Sequence, residues 1–275
     1  MMNVRALLTE IYRRHRVLAV TGWLHVILLL VLFCVAPFDA RTVTGLNPWI
    51  KPMKFAVSIT IYLWTLAWFL AYLRPAYPRA VRVVGWLVSL VFVVEMLCVV
   101  SQAARGVPSH FNISTPYDGA VFTLMGVMII INTLLVALVL LMFFLKPVEL
   151  PPAYLWGIRF GLLLFVLASL EGFVMTSQLA HTVGAADGGP GLPFVNWSTR
   201  AGDLRVAHFL GFHALQLLPL AGYWLNLRSQ VLARQRRMAL VVAALAFLYA
   251  LVFSALFWQA LSGRPLISLS ALLVL

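Results

Sequence analysis

The chain has 275 residues, 63% of them hydrophobic and 10% charged, with a formal net charge of +12. A soluble domain usually carries roughly 45–50% apolar and about 25% charged residues, so this chain has too little polar surface to coat a globule in water. The apolar residues fall in uninterrupted blocks longer than the ~18 residues that cross a hydrocarbon core. These features predict an all-α integral membrane protein and exclude a water-soluble enzyme domain.

In chain order, residues 1–17 form a basic segment with Arg5, Arg13, Arg14 and Arg16. The apolar run that follows is too long for a signal-peptide core, and Pro37 directly after Ala36 suits no cleavage site. Seven spans are expected at about 18–37, 54–73, 83–103, 119–143, 155–180, 204–226 and 239–261, within a single transmembrane domain covering 1–275. With the N-terminus cytoplasmic, the inner side receives Arg5, Arg13, Arg14, Arg16, Arg74, Arg79, Arg82, Lys146, Arg159, Arg228, Arg234, Arg236 and Arg237, which is 13 of the 20 Lys and Arg. The positive-inside rule then puts the C-terminus outside. The net charge reads as a topology signal with attraction to anionic lipid as a by-product, and nucleic acid is not an expected partner.

The first outer connection holds Asp39, Arg41, Lys51 and Lys54 around Trp49. It reads either as an interfacial segment anchored by its Trp or as a cationic rim. Cys34 and Cys98 are expected as buried apolar thiols, with a structural bridge between them as the alternative.

Self-similarity appears further along the chain. EMLCVVSQAARG from Glu95 aligns with EGFVMTSQLAHT from Glu171, and DGAVFTLMG from Asp118 aligns with DLRVAHFLG from Asp203. Spans 3–4 and 5–6 are thus expected to be repeated hairpins, with KFAVSITIY from Lys54 as a weaker third copy. Repeated helical units commonly enclose a shared cavity.

Charged groups at the depth of Glu95 and Glu171 cost on the order of 2.5–3.5 kcal/mol on insertion scales, and they normally face a partner, water or a cavity. Gln102 and Gln178 follow at i+7, and Arg105 and His181 three residues later, giving each helix a polar stripe. Interhelical hydrogen bonding is the plain alternative for the glutamines. Helix six adds Arg205, His208 and His213; the last two are five residues apart, about 140° around the axis, which weakens a simple two-His metal site.

A haem between two of His25, His208 and His213, or a metal on Glu95, Glu171 and His208, stays open as an alternative, and no cofactor is assigned. Asp118 and Asp203 have a plain explanation as helix caps, the first within Thr115-Pro116-Tyr117-Asp118. They join Lys51, Lys54 and His110 as a second-rank rim. No nucleophile elbow, zincin pair, P-loop or dinucleotide fingerprint is present.

The segments LNPWIKPMKF, SHFN followed by STP, and GDLRVAHFLGFHALQ resemble an uncharacterised family of bacterial multi-pass inner-membrane proteins. The resemblance implies a bacterial cytoplasmic membrane and transfers no activity or site residue. The leading expectation is binding or transport of a small ligand or ion through an outward-opening polar cavity lined by Glu95, Gln102, Arg105, Glu171, Gln178, His181, Arg205 and His208. An intramembrane oxidoreductase or metal enzyme, and a structural subunit of a homo-oligomer or membrane complex, are the alternatives.

Overall fold

The computed structural model describes residues 3–227 and 232–268, and its contacts divide into two compact units, Met1–Val148 and Glu149–Leu275. Unit one holds α1 (Val4–Arg14), α2 (Arg16–Val35), a 3-10 turn (Ala36–Phe38), α3 (Ile50–Leu73), α4 (Pro78–Arg105) and α5 (Pro116–Leu145). Unit two holds α6 (Pro152–Ser177), β1 (Thr182–Val183), β2 (Gly202–Asp203), α7 (Leu204–Leu227) and α8 (Leu232–Leu261). Among the described residues, seven helices are long and apolar enough to cross a membrane.

Large apolar side chains such as Leu30, Leu134, Leu240, Phe247 and Trp258 lie exposed on these helices. In water each would forfeit roughly 1.5–3 kcal/mol of burial, whereas lipid tails accept them. The protein is therefore multi-pass, and its outer surface is suited to a bilayer.

The helices begin earlier than the apolar blocks because their ends are built from polar or cyclic residues. Pro78, Pro116 and Pro152 occupy first-turn positions, where the missing N–H removes no bond. Thr115 caps α5 by accepting from the Asp118 amide at 3.1 Å, as the capping pattern predicts. Gly106 ends α4 in the left-handed region, its N–H and that of Val107 returning to the last carbonyls of the helix.

In unit one, α2 packs on α3 and α4, α3 on α4, and α4 on α5, while α1 lies against α2 and α3. The α1 end carries Arg74, Arg79 and Arg82 as well and is the basic end of the unit. The α2–α3 and α4–α5 connections form the opposite end.

In unit two, α6, α7 and α8 pack pairwise, and β1 pairs antiparallel with β2 beside α8. Glycine sets the closeness of α6 to α7. A Cβ on Gly157 would lie 2.5 Å from the Leu218 carbonyl oxygen, and one on Gly222 2.3 Å from that of Ala153. Small residues permitting backbone approach are the usual means of holding helices together in lipid.

Candidate functional site

Of the expected site residues, Glu95, Gln102 and Arg105 lie in unit one, and Glu171, Gln178, His181, Arg205 and His208 in unit two. Each group is described within its own unit.

In unit one, Gln102 is fully buried. Its amide donates to Asp118 Oδ1 at 2.8 Å, and Arg105 donates to both Gln102 and Asp118. The Thr115 hydroxyl donates to Asp118 Oδ2 at 2.6 Å, and the Arg105 guanidinium lies over the Tyr117 ring. This is a closed network in which Asp118 is the acceptor that locks the end of α4 to the start of α5. The glutamine therefore acts as interhelical glue.

Glu95 is different. It is 1% exposed, and neither carboxylate oxygen has a hydrogen-bond partner among the described residues. The charge acting on it comes from Lys51, at the start of α3. Lys51 Nζ donates to His110 Nδ1 at 3.1 Å, which leaves the ring proton on Nε2, and His110 packs edge-on against Phe55. The α4–α5 connection thus folds His110 in over α3. Lys54, also within α3, is exposed.

Deeper in the unit, Tyr62 donates to Asn132 Oδ1 at 2.8 Å, both side chains being buried. Tyr62 also packs against Phe92, one turn below Glu95 on α4. Sequence reading missed Tyr62 and Asn132. Polar residues inside apolar spans were the available signal, but a neutral Tyr and Asn carry less of the insertion penalty that draws attention to a glutamate.

His25 is buried; its Nδ1–H donates to the Thr21 carbonyl of its own helix at 2.8 Å, and its Nε2 has no hydrogen-bond partner among the described residues. Asp39 and Arg41 form a fork at the opposite end. The Arg41 amide, Nε and Nη2 all donate to Asp39, Trp49 Nε1 donates to Asp39 Oδ2, and Arg41 Nη1 reaches the Ala104 carbonyl at the end of α4. The Arg41 guanidinium holds the Asp39 carboxyl well below the usual carboxylate range.

In unit two, Glu171 is buried on α6 and accepts from His208 Nδ1 of α7 at 2.8 Å through Oε2, while its Oε1 has no hydrogen-bond partner among the described residues. The His208 ring packs over Gly172 and against Phe212, with ring centroids 4.1 Å apart. His213 is half-buried and donates to the Phe209 carbonyl at 2.7 Å, so it does not join His208. Among the described residues no group of three or more His, Cys, Asp and Glu could hold a metal ion.

Gln178 lies just past α6, exposed, and donates to the Ala180 carbonyl. The expected polar stripe of this helix therefore ends at Ser177. His181 Nδ1 lies 2.7 Å from Asp187, which also accepts from the His181 and Thr182 amides. Burial favours the neutral form of Asp187, but the His181 bond and charge together with these amides outweigh it and hold the carboxyl well below its ordinary range.

Arg205 pairs with Asp203, two residues away on its own segment, through the same amide, Nε and Nη2 donors as the Asp39–Arg41 fork. It also donates to the Asn196 carbonyl.

The aligned segments can be compared bond by bond. Ser101 and Ser177 each donate to the carbonyl three residues back at 2.9 Å, and Glu95 and Glu171 are both buried. The following glutamines differ, one inside its helix and the other beyond the helix end.

No protein-family model, curated protein or solved structure matches the chain.

Proposed function

We propose that this multi-pass membrane protein binds a small ligand or ion, and carries it, along a polar path in unit one formed by Lys51, His110 and Glu95, with Tyr62 and Asn132 below. The observation that carries the reading is Glu95, a buried carboxylate in a membrane-spanning helix with no hydrogen-bond partner for either oxygen among the described residues. Buried polar groups are nearly always satisfied, and an orphaned carboxylate is a place where a bound proton, cation or hydrogen-bond donor supplies the missing partner.

From Lys51 to Tyr62 the path descends about 16 Å along α3. Its entry carries a cation and an imidazole, and its middle an acid. The bacterial inner membrane, with the basic end of unit one cytoplasmic, is the setting that the Lys/Arg distribution and the family resemblance support.

The test is a thermal-unfolding screen of detergent-purified protein against small amines, amino acids, carboxylates and cations. A compound that stabilises the wild type and not Glu95→Gln supports the reading. Stabilisation that survives Glu95→Gln refutes it.

One observation favours a second reading. Glu171 holds His208 by Nδ1, the arrangement by which a carboxylate orients a metal-ligating histidine and presents Nε2. A visible absorption band or stoichiometric metal that disappears in His208→Ala would move this reading ahead of the first; a colourless, metal-free preparation would remove it.

A further inference from the structure

The basic end of unit one carries a second feature, independent of Glu95. Arg5, Arg13 and Arg14 lie on α1, Arg16 opens α2, Arg74 caps α3, and Arg79 and Arg82 lie in the first turns of α4. His15 draws these segments together. Its Nε2–H donates to the Val81 carbonyl at 3.3 Å, its ring fills the space over Gly85, and Arg74 acts on it electrostatically.

Unit one has four acids, Glu10, Asp39, Glu95 and Asp118, and only Glu10 lies at this end. It is engaged by Arg13 and Arg14. Arg16, Arg74, Arg79 and Arg82 are exposed, and among the described residues none of them pairs with a carboxylate.

Helix α1 is itself two-faced. Ile11 is buried in the unit, whereas Val4 is 72% exposed and Leu7 39% exposed. It connects through His15 directly to a membrane-spanning helix, which puts it at the level where hydrocarbon meets headgroups. Apolar residues beside guanidinium groups at that level complement an anionic lipid surface, the side chains entering the acyl boundary and the arginines meeting phosphate.

We infer that the basic end of unit one is a binding surface for anionic phospholipid, with Arg16, Arg74, Arg79 and Arg82 holding headgroup phosphates and α1 lying in the interface. The excess of positive charge at this end would not by itself require a lipid site. The exposed apolar face of α1 and the gathering around His15 of arginines with no carboxylate partner among the described residues are what point to lipid.

The full chain, purified in a zwitterionic detergent, is titrated separately with phosphatidylglycerol, phosphatidylcholine and inorganic phosphate while thermal unfolding is followed. Phosphatidylglycerol is expected to stabilise at lower concentration than phosphatidylcholine, and phosphate to give no shift. Changing Arg79 and Arg82 together to Gln should raise the phosphatidylglycerol concentration required by about twenty-fivefold, from roughly fivefold per arginine. The double Lys variant keeps the charge and should keep most of the response.

Equal responses to the two lipids, or an unchanged response in the Gln variant, would overturn the inference. A phosphate response matching that of phosphatidylglycerol would also overturn it, assigning a free-anion site instead. Should the Gln variant fail to fold, the wild type in rising NaCl decides: the lipid response must weaken as the charges are screened, and a salt-insensitive response refutes the inference.

Discussion

Replacing Gly157 with Ala tests whether α6 and α7 are held together by backbone approach. The new Cβ would meet the Leu218 oxygen at 2.5 Å and the Leu218 carbon and Pro219 Cα at 3.0 Å. These are backbone atoms of the facing helix, so no side chain can rotate away. Restoring ordinary contact, which begins at 3.4 Å, requires the helices to part by about 0.9 Å. Overpacking of this kind costs about 1–3 kcal/mol, and an obstacle made of backbone puts the variant towards the upper end.

The intrinsic helix preference of Ala over Gly works the other way by up to about 1 kcal/mol, so a net loss is a demanding outcome. Gly222→Ala, facing the Ala153 oxygen at 2.3 Å, should behave alike, while Gly126→Ala, with nothing within 4 Å, should be neutral or slightly stabilising. The assay is reversible unfolding in mixed micelles. Wild-type stability in both Gly157→Ala and Gly222→Ala would refute the argument that this packing depends on the absence of Cβ atoms.

Further expectations concern single polar groups. Glu95→Leu removes a carboxylate with no hydrogen-bond partner among the described residues and should raise unfolding stability by about 1–3 kcal/mol while abolishing ligand stabilisation; a loss of stability would show that the acid is satisfied in the folded protein. Gln102→Leu deprives buried Asp118 of one donor and should destabilise by about 1–3 kcal/mol in the same assay, and a neutral result would remove Gln102 from the network.

His15 accepts from the Leu18 amide through Nδ1 and donates through Nε2, so it is folded as the neutral ring. Burial pushes its imidazole below the ordinary value, Arg74 reinforces this, and the bond to Val81 opposes it. The unfolded chain therefore binds this proton first. The contribution of His15 is complete above about pH 6.5 and is lost as pH falls through that value towards the folded one. His15→Asn, which can still cap α2, should flatten this part of the stability–pH curve; an unchanged slope would place the proton elsewhere.

Spans were legible because hydrocarbon thickness imposes an apolar run that composition reveals directly. Their ends were not, since Pro78, Pro116 and Pro152 extend the helices past the apolar blocks. The Thr115–Asp118 cap was readable because it is local. The bond from Gln102 to Asp118 was not, as it crosses a connection whose path no periodicity encodes.

Arg205 is paired locally: Asp203, two residues away, accepts from it through the chain's own turn, a bond that a search for interhelical partners passes over. Glu171 and His208 share a bond because α6 and α7 approach closely, and the glycines that allow this approach were visible in the sequence without announcing their partner.

The two Asp-x-Arg forks are local, each closing over two residues. Arg41 also bonds the Ala104 carbonyl, 63 residues along the chain. Because Asp39 holds the Arg41 guanidinium flat and aimed, that long-range bond extinguishes less side-chain freedom than it would for an arginine with no local partner. The aspartate thus makes the connection a pre-set latch for α4.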